Sequence, residues 1–91
     1  MTLIGVKIMR YPQFHEELAK AIRFHRKKSL LNRQELAKLA GVGKKAIFDL
    51  EHAKPTVQLD TLLKVLDALN IQLNFNSPLM ETFSKETHAQ G

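Results

Sequence analysis

Between Leu36 and Glu51 the chain reads "LAKLAGVGKKAIFDLE": two glycines, then two lysines, then an aspartate four residues after Lys45. These residue types hold phosphate, because glycine lets backbone amides approach an anion and lysine neutralises it. A nucleotide-binding loop of the Walker kind needs Gly, four residues, then Gly-Lys and a hydroxyl. With Gly43-Lys44 as the Gly-Lys pair, Lys38 stands where the first glycine belongs and Lys45 where the hydroxyl belongs. Leu36, Leu39 and Ala40 recur at three and four, so a helix rather than a strand leads into Gly41. A P-loop does not fit. That these residues mark a corner between two helices laid on a nucleic-acid backbone has to be read from the rest of the chain.

Other chemistries find little support. His15, His25, His52 and His88 are far apart, with no pair four residues apart to share a metal. No serine or acid pair has a recognisable catalytic spacing. Without cysteine there is neither a disulfide framework nor a thiolate zinc site. The expectation is a protein without metal, cofactor or enzymatic activity.

Charge points the other way. Fourteen Lys and Arg against nine Asp and Glu give a formal net charge of +5, and the excess is central. Residues 20–54 hold ten cations against Glu35, Asp49 and Glu51, while the flanks are neutral or slightly acidic. A basic block with such flanks is the electrostatic footprint of a polyanion binder, although a solvated basic face would give the same composition.

Ninety-one residues make one small domain. The start, "MTLIGVKIM", lacks a basic n-region and is interrupted by Lys7, so it does not read as a signal peptide. No apolar run reaches membrane-spanning length, and the expectation is a soluble intracellular protein. Ile4, Val6 and Ile8 alternate as in a short strand within an N-terminal extension, residues 1–12. Phe14, Leu18, Ala21 and Ile22 then predict a helix to about Lys28, with cations in its last turn. Asn32 and Glu35 form a capping-box pattern that opens a second helix, Arg33 to Ala40, which Gly41 ends. A third runs from Lys44 to about His52, with Ile47 and Leu50 inward and Gly43 as a permissive N-cap. After Pro55, Leu59, Leu62, Leu63, Leu66 and Leu69 predict a fourth helix with one broad apolar face. "IQLNFN" then alternates strictly and reads as a half-buried strand at 71–76. Residues 77–91 read as a mobile polar tail. The fold class is all-α, a compact bundle of four to five helices with a short C-terminal strand, the main domain being 13–76.

Two helices of about eight residues joined by Gly41-Val42-Gly43 have the layout of a helix-turn-helix, whose second helix enters the major groove. The segment "LLNRQELAKLAGVGKKAIFDLEHAKPTVQLDTLLKVLDALNI" resembles the Cro/CI-type (Xre) helix-turn-helix family over roughly residues 14–71. The run from Lys-Pro-Thr-Val through a leucine helix to a terminal strand is similar to HipB-type antitoxins. That resemblance implies residue roles. Asn32 and Arg33, with Gly43, Lys54 and Thr56, would hold phosphates. Lys44, Lys45 and Asp49 would face bases, with Phe48 a candidate beside them, and Arg26 and Glu51 would form a buried ion pair between the first and third helices. Two positions depart from the pattern: the family usually has Thr or Ser at Gly43, and a polar residue at Phe48.

Local chemistry agrees in part. Lysine can donate to guanine O6 and N7, and aspartate can accept from cytosine N4. Lys45 and Asp49 could equally form an exposed helical ion pair. Phe48 could pack, contact a second subunit or touch a thymine methyl. A lone strand must find a partner, and family precedent supplies it by strand exchange across a two-fold axis through Ile71, Leu73 and Phe75. The implied protein is a homodimeric repressor of the bacterial cytoplasm. It would bind double-stranded DNA at a palindromic operator and neutralise a HipA-like serine/threonine kinase toxin. A repressor without a toxin and a protein-interaction adaptor that does not bind DNA are the alternatives.

Overall fold

In the computed structural model the described residues are 10, 11 and 13–90, with side chains described to residue 87. The expected strand at Ile4–Ile8 lies outside them. The described chain forms five helices: α1 (Gln13–Lys28), α2 (Arg33–Ala40), α3 (Lys44–Glu51), α4 (Leu59–Ala68) and α5 (Met80–Gln90).

One core joins the first four helices. Ile22 of α1, Leu36 and Ala37 of α2, Ile47 and Leu50 of α3, and Val65 and Leu66 of α4 bury their side chains together, with Leu69 beyond them. Full burial of each Leu or Ile removes about 1.5–3 kcal/mol of unfavourable exposure to water. The leucine face predicted for α4 is broader than the core. Leu59 and Leu63 lie exposed, and Val65, outside that pattern, is fully buried.

The loops are set by the way the helices end. After α1, α2, α3 and α4 the chain passes through a left-handed residue: Leu30 (φ 60°), Gly41 (φ 75°), Ala53 (φ 58°) and Asn70 (φ 58°). At each end the next amide reaches back five residues to a helical carbonyl: Leu31 to Arg26 at 3.2 Å, Val42 to Ala37 at 2.9 Å, Lys54 to Asp49 at 3.0 Å and Ile71 to Leu66 at 2.9 Å. This Schellman closure satisfies carbonyls that a helix end would otherwise leave unpaired. Leu31, Val42 and Ile71 also pack against the core, which fixes the exit direction of the chain. Asn32 opens α2 with a complete capping box: Glu35 N donates to Asn32 Oδ1 at 2.7 Å, and Asn32 N donates to Glu35 Oε1 at 2.9 Å.

Two C-terminal expectations change. Residues 71–77 form no strand; Ile71 is half-buried, but Leu73 and Phe75 are exposed. A strand requires a neighbour to accept its backbone hydrogen bonds, and the described residues of one chain offer none. Residues 80–90, read as a tail, are helical, and none of the main helix–helix contacts involves this helix.

Candidate nucleic-acid interface

The pattern of α3 decides what it shows to the outside. Ile47 and Leu50 anchor it in the core, so Lys44, Lys45 and Phe48 are turned outward. Its N-terminus follows Gly43, which has φ −77° and ψ 153° and supplies no side-chain cap. A β-carbon there would meet nothing within 4 Å.

Lys45 Nζ donates to Asp49 Oδ2 at 2.9 Å, and Lys54 Nζ lies 3.6 Å from the same oxygen. The hydrogen bond from Lys45 holds the Asp49 carboxyl below its usual range, and the same bond raises Lys45. Thr56 lines a shallow cleft with Lys45, Asp49 and Lys54. Lys45, Asp49 and Lys54 therefore satisfy one another. Two cations around one carboxylate leave a net positive surface, and each polar group can exchange its partner for a base or phosphate of comparable hydrogen-bonding power.

A second cluster joins α1, α2 and α3. Arg26 Nε donates to Glu51 Oε2 at 2.6 Å, Nη2 donates to Oε1 at 3.0 Å, and Nη1 donates to the Leu31 carbonyl at 2.9 Å. Arg33 Nε adds a bond to Glu51 Oε1 at 3.2 Å. The Glu51 side chain is 0 % exposed. Burial alone would raise its carboxyl, but Arg26 and then Arg33 outweigh it and hold the group below its usual range. Arg33 Cζ also lies 5.5 Å from the Phe48 ring centroid. Phe48 in turn stacks on His52, with ring centroids 3.8 Å apart and planes 22° from parallel.

Above this network Arg26, Asn32, Arg33, Gln34 and Lys44 line an open cleft of about 340 Å³. Three of the five are cations, and none is a carboxylate. With the N-terminus of α2 beside it, this lining favours an anion of phosphate size.

The sequence-predicted residues thus fall into two groups. Asn32, Arg33 and Lys44 share the first cleft, above the Arg26–Glu51 pair. Lys45, Asp49, Lys54 and Thr56 share the second, and Gly43 precedes both lysines of α3. Ile71, Leu73 and Phe75 line neither cleft. The sequence reading missed the bond from Arg33 to Glu51 and the stacking of Phe48 on His52. The second had a signal, since the two rings are four residues apart and adjacent on a helix.

Comparison with known proteins places this geometry. Residues 22–76 match the family model described as helix-turn-helix. An "uncharacterized HTH-type transcriptional regulator y4mF" of Sinorhizobium fredii (strain NBRC 101917 / NGR234) is 39% identical over 62 residues, covering 68% of this chain and 82% of that protein. Among solved structures, the chain resembles one from a HipA-HipB-O2-O3 complex with TM-score 0.67 and 25% identity, over 80% of this chain and 97% of that one. A chain from a HipB(S29A)-O2 20mer complex matches at the same TM-score and identity, over 80% of this chain and 96% of that one.

Proposed function

The chain belongs to the helix-turn-helix family of DNA-binding transcriptional regulators, and we propose that it is a homodimeric repressor of its own operon that also acts as antitoxin to a HipA-like serine/threonine kinase. The observation that carries the DNA-binding half is the outward-facing Lys44-Lys45 start of α3 beside the cationic cleft at the start of α2. In this reading Asn32, Arg33, Gly43, Lys54 and Thr56 meet phosphates and set the register. Lys44, Lys45 and Asp49 meet base edges in the major groove. The Arg26–Glu51 pair holds α3 at its angle to α1. Ile71, Leu73 and Phe75 join two copies, so that two α3 helices face a palindrome in the bacterial cytoplasm. The likeness to HipB, solved in complexes with HipA and with O2, supports the antitoxin half.

The family is one of regulators and not of enzymes. A regulator without a toxin partner is the second reading, favoured by the 39% identical relative, whose name carries regulation alone.

Titration of the protein with a duplex from upstream of its own gene, and with a random duplex, tests the first half. Arg33→Ala weakens both complexes alike and flattens the salt dependence by about one counterion. Lys45→Ala costs about 1–3 kcal/mol on the operator and much less on random DNA. Equal losses for Lys45→Ala on the two duplexes would make that lysine a backbone contact. Absence of wild-type binding at low salt would leave an adaptor. Capture of the product of an adjacent kinase-like gene by the tagged protein tests the second half, and failure there favours the toxin-free regulator.

A further inference from the structure

Phe48 lies beside the base-facing candidates of α3, at a position where the family usually has a polar residue, and its surroundings suit it to another task. The residue is 47% exposed, and its ring touches His52 and the Arg33 guanidinium. His52 stacks on it, and the imidazole is itself held, with Nδ1 2.7 Å from the Phe48 carbonyl oxygen. Arg33 Cζ lies 5.5 Å from the ring centroid while Arg33 Nε is bound to Glu51. An arginine side chain has many rotamers, and an exposed one loses much entropy when it grips an anion. Here a carboxylate takes the Nε–H, leaving the terminal amino groups of the guanidinium for the cleft that Asn32, Gln34 and Lys44 also line. An aromatic face attracts a guanidinium through its quadrupole.

We propose that Phe48 is a positioning residue: its ring, steadied by His52, holds the Arg33 guanidinium pre-oriented toward a DNA phosphate. The proposal rests on the reading that Arg33 meets phosphate. Phe48 then governs affinity for the duplex backbone and not the choice of base. A residue of similar bulk without a π face fails at this task, and a tyrosine performs it.

The test has a DNA-free arm and a DNA arm. By NMR of the free wild-type protein, the Arg33 Nε–H signal is slow to exchange and the Arg33 side-chain protons are ring-current shifted. Phe48→Leu abolishes the ring-current shift and speeds exchange, and Phe48→Tyr preserves both. On DNA, Phe48→Leu weakens operator and random duplex by the same factor, about two- to fivefold, the range of one partly exposed cation–π contact. Phe48→Tyr restores binding, and Phe48→Leu adds nothing in an Arg33→Ala background. A loss confined to the operator, with altered preference at one base pair, would make Phe48 a base reader and overturn the proposal. So would additive losses with Arg33→Ala, or wild-type affinity in Phe48→Leu despite a released Arg33. If Arg33→Ala alone leaves both affinities unchanged, the phosphate reading fails, and the proposal fails with it.

Discussion

Glu51 accepts three hydrogen bonds from two arginines while shielded from water, so at the scale of single residues this one carboxylate ties α1, α2 and α3 together. Its removal strands Arg26, whose residue is only 8% exposed. Loss of one partner of a buried pair typically costs about 3–5 kcal/mol, against about 5–15 kcal/mol for a whole domain. Glu51→Ala should therefore lose a large part of the denaturant stability, and a urea midpoint equal to wild type would refute the pair's importance. Acid should act on the same group. Because the folded carboxyl is depressed below its unfolded value of about 4.5, the network's contribution is whole above about pH 4.5 and fades as pH falls through the lower folded value. The stability gap between wild type and Glu51→Gln should be constant from about pH 7 to pH 5 and shrink below that. A gap that widened in acid would reverse the assigned sign. Arg26 and Glu51 are 25 residues apart, and only family resemblance named them together. The third member, Arg33, was not legible, because a three-body contact depends on the angles between three helices. The Lys45–Asp49 contact was legible from a spacing of four alone.

At the scale of elements, the four core helices were legible because apolar spacing, one capping box and Gly41 coincide with their ends. The sequence also put the ends of α1 and α3 at about Lys28 and His52, but did not show the way they close, since Leu30 and Ala53 occupy left-handed positions that side chains rarely choose. Packing of the half-buried Leu31 against the core and the returning Leu31 amide hold Leu30 there against its own preference. This yields opposed predictions for chemically similar positions. Leu30 is 88% exposed and gives up little burial on truncation. Leu30→Gly should relieve strain and stabilise by about 0.5–1 kcal/mol, after the extra flexibility of glycine in the unfolded chain is deducted. Gly41→Ala should destabilise by about 1–2 kcal/mol through its φ of 75°, even though no atom lies within 4 Å of the added carbon. Thermal melts of both variants check the pair, and a shift in the same direction for both would mean that φ does not govern these ends. The strand at 71–76 and the tail after it were misread for a common reason. Alternation shows that one face of a segment is apolar, but not that a partner is present, and a polar composition does not prevent a short helix.

At the scale of the whole molecule, the C-terminal region is where we propose that two copies meet. Leu73 is 42% and Phe75 80% exposed, and the backbone of residues 72–76 makes no hydrogen bond to the rest of the described chain. Apolar residues on alternate positions of an unpaired extended segment suit pairing with another such segment, and a two-fold copy supplies an identical one. Because these side chains lie outside the four-helix core, replacing both with aspartate should leave the single chain folded. Placed between two copies, the same aspartates would be desolvated and mutually repelled. The Leu73→Asp, Phe75→Asp double variant should therefore keep its helical circular dichroism while its sedimentation mass at micromolar concentration falls from twice 10.4 kDa to 10.4 kDa. The DNA consequence follows from symmetry. A palindrome gains from two linked recognition helices about one helical turn apart, and a monomer engages only one half-site. The variant should bind an isolated half-site as wild type does and lose its advantage on the full operator. A dimer mass retained by the variant would place the interface elsewhere, and a wild type that sediments as a monomer would end the two-fold reading. A variant that lost its helices instead would mean that Leu73 and Phe75 support the core of the single chain, contrary to their exposure.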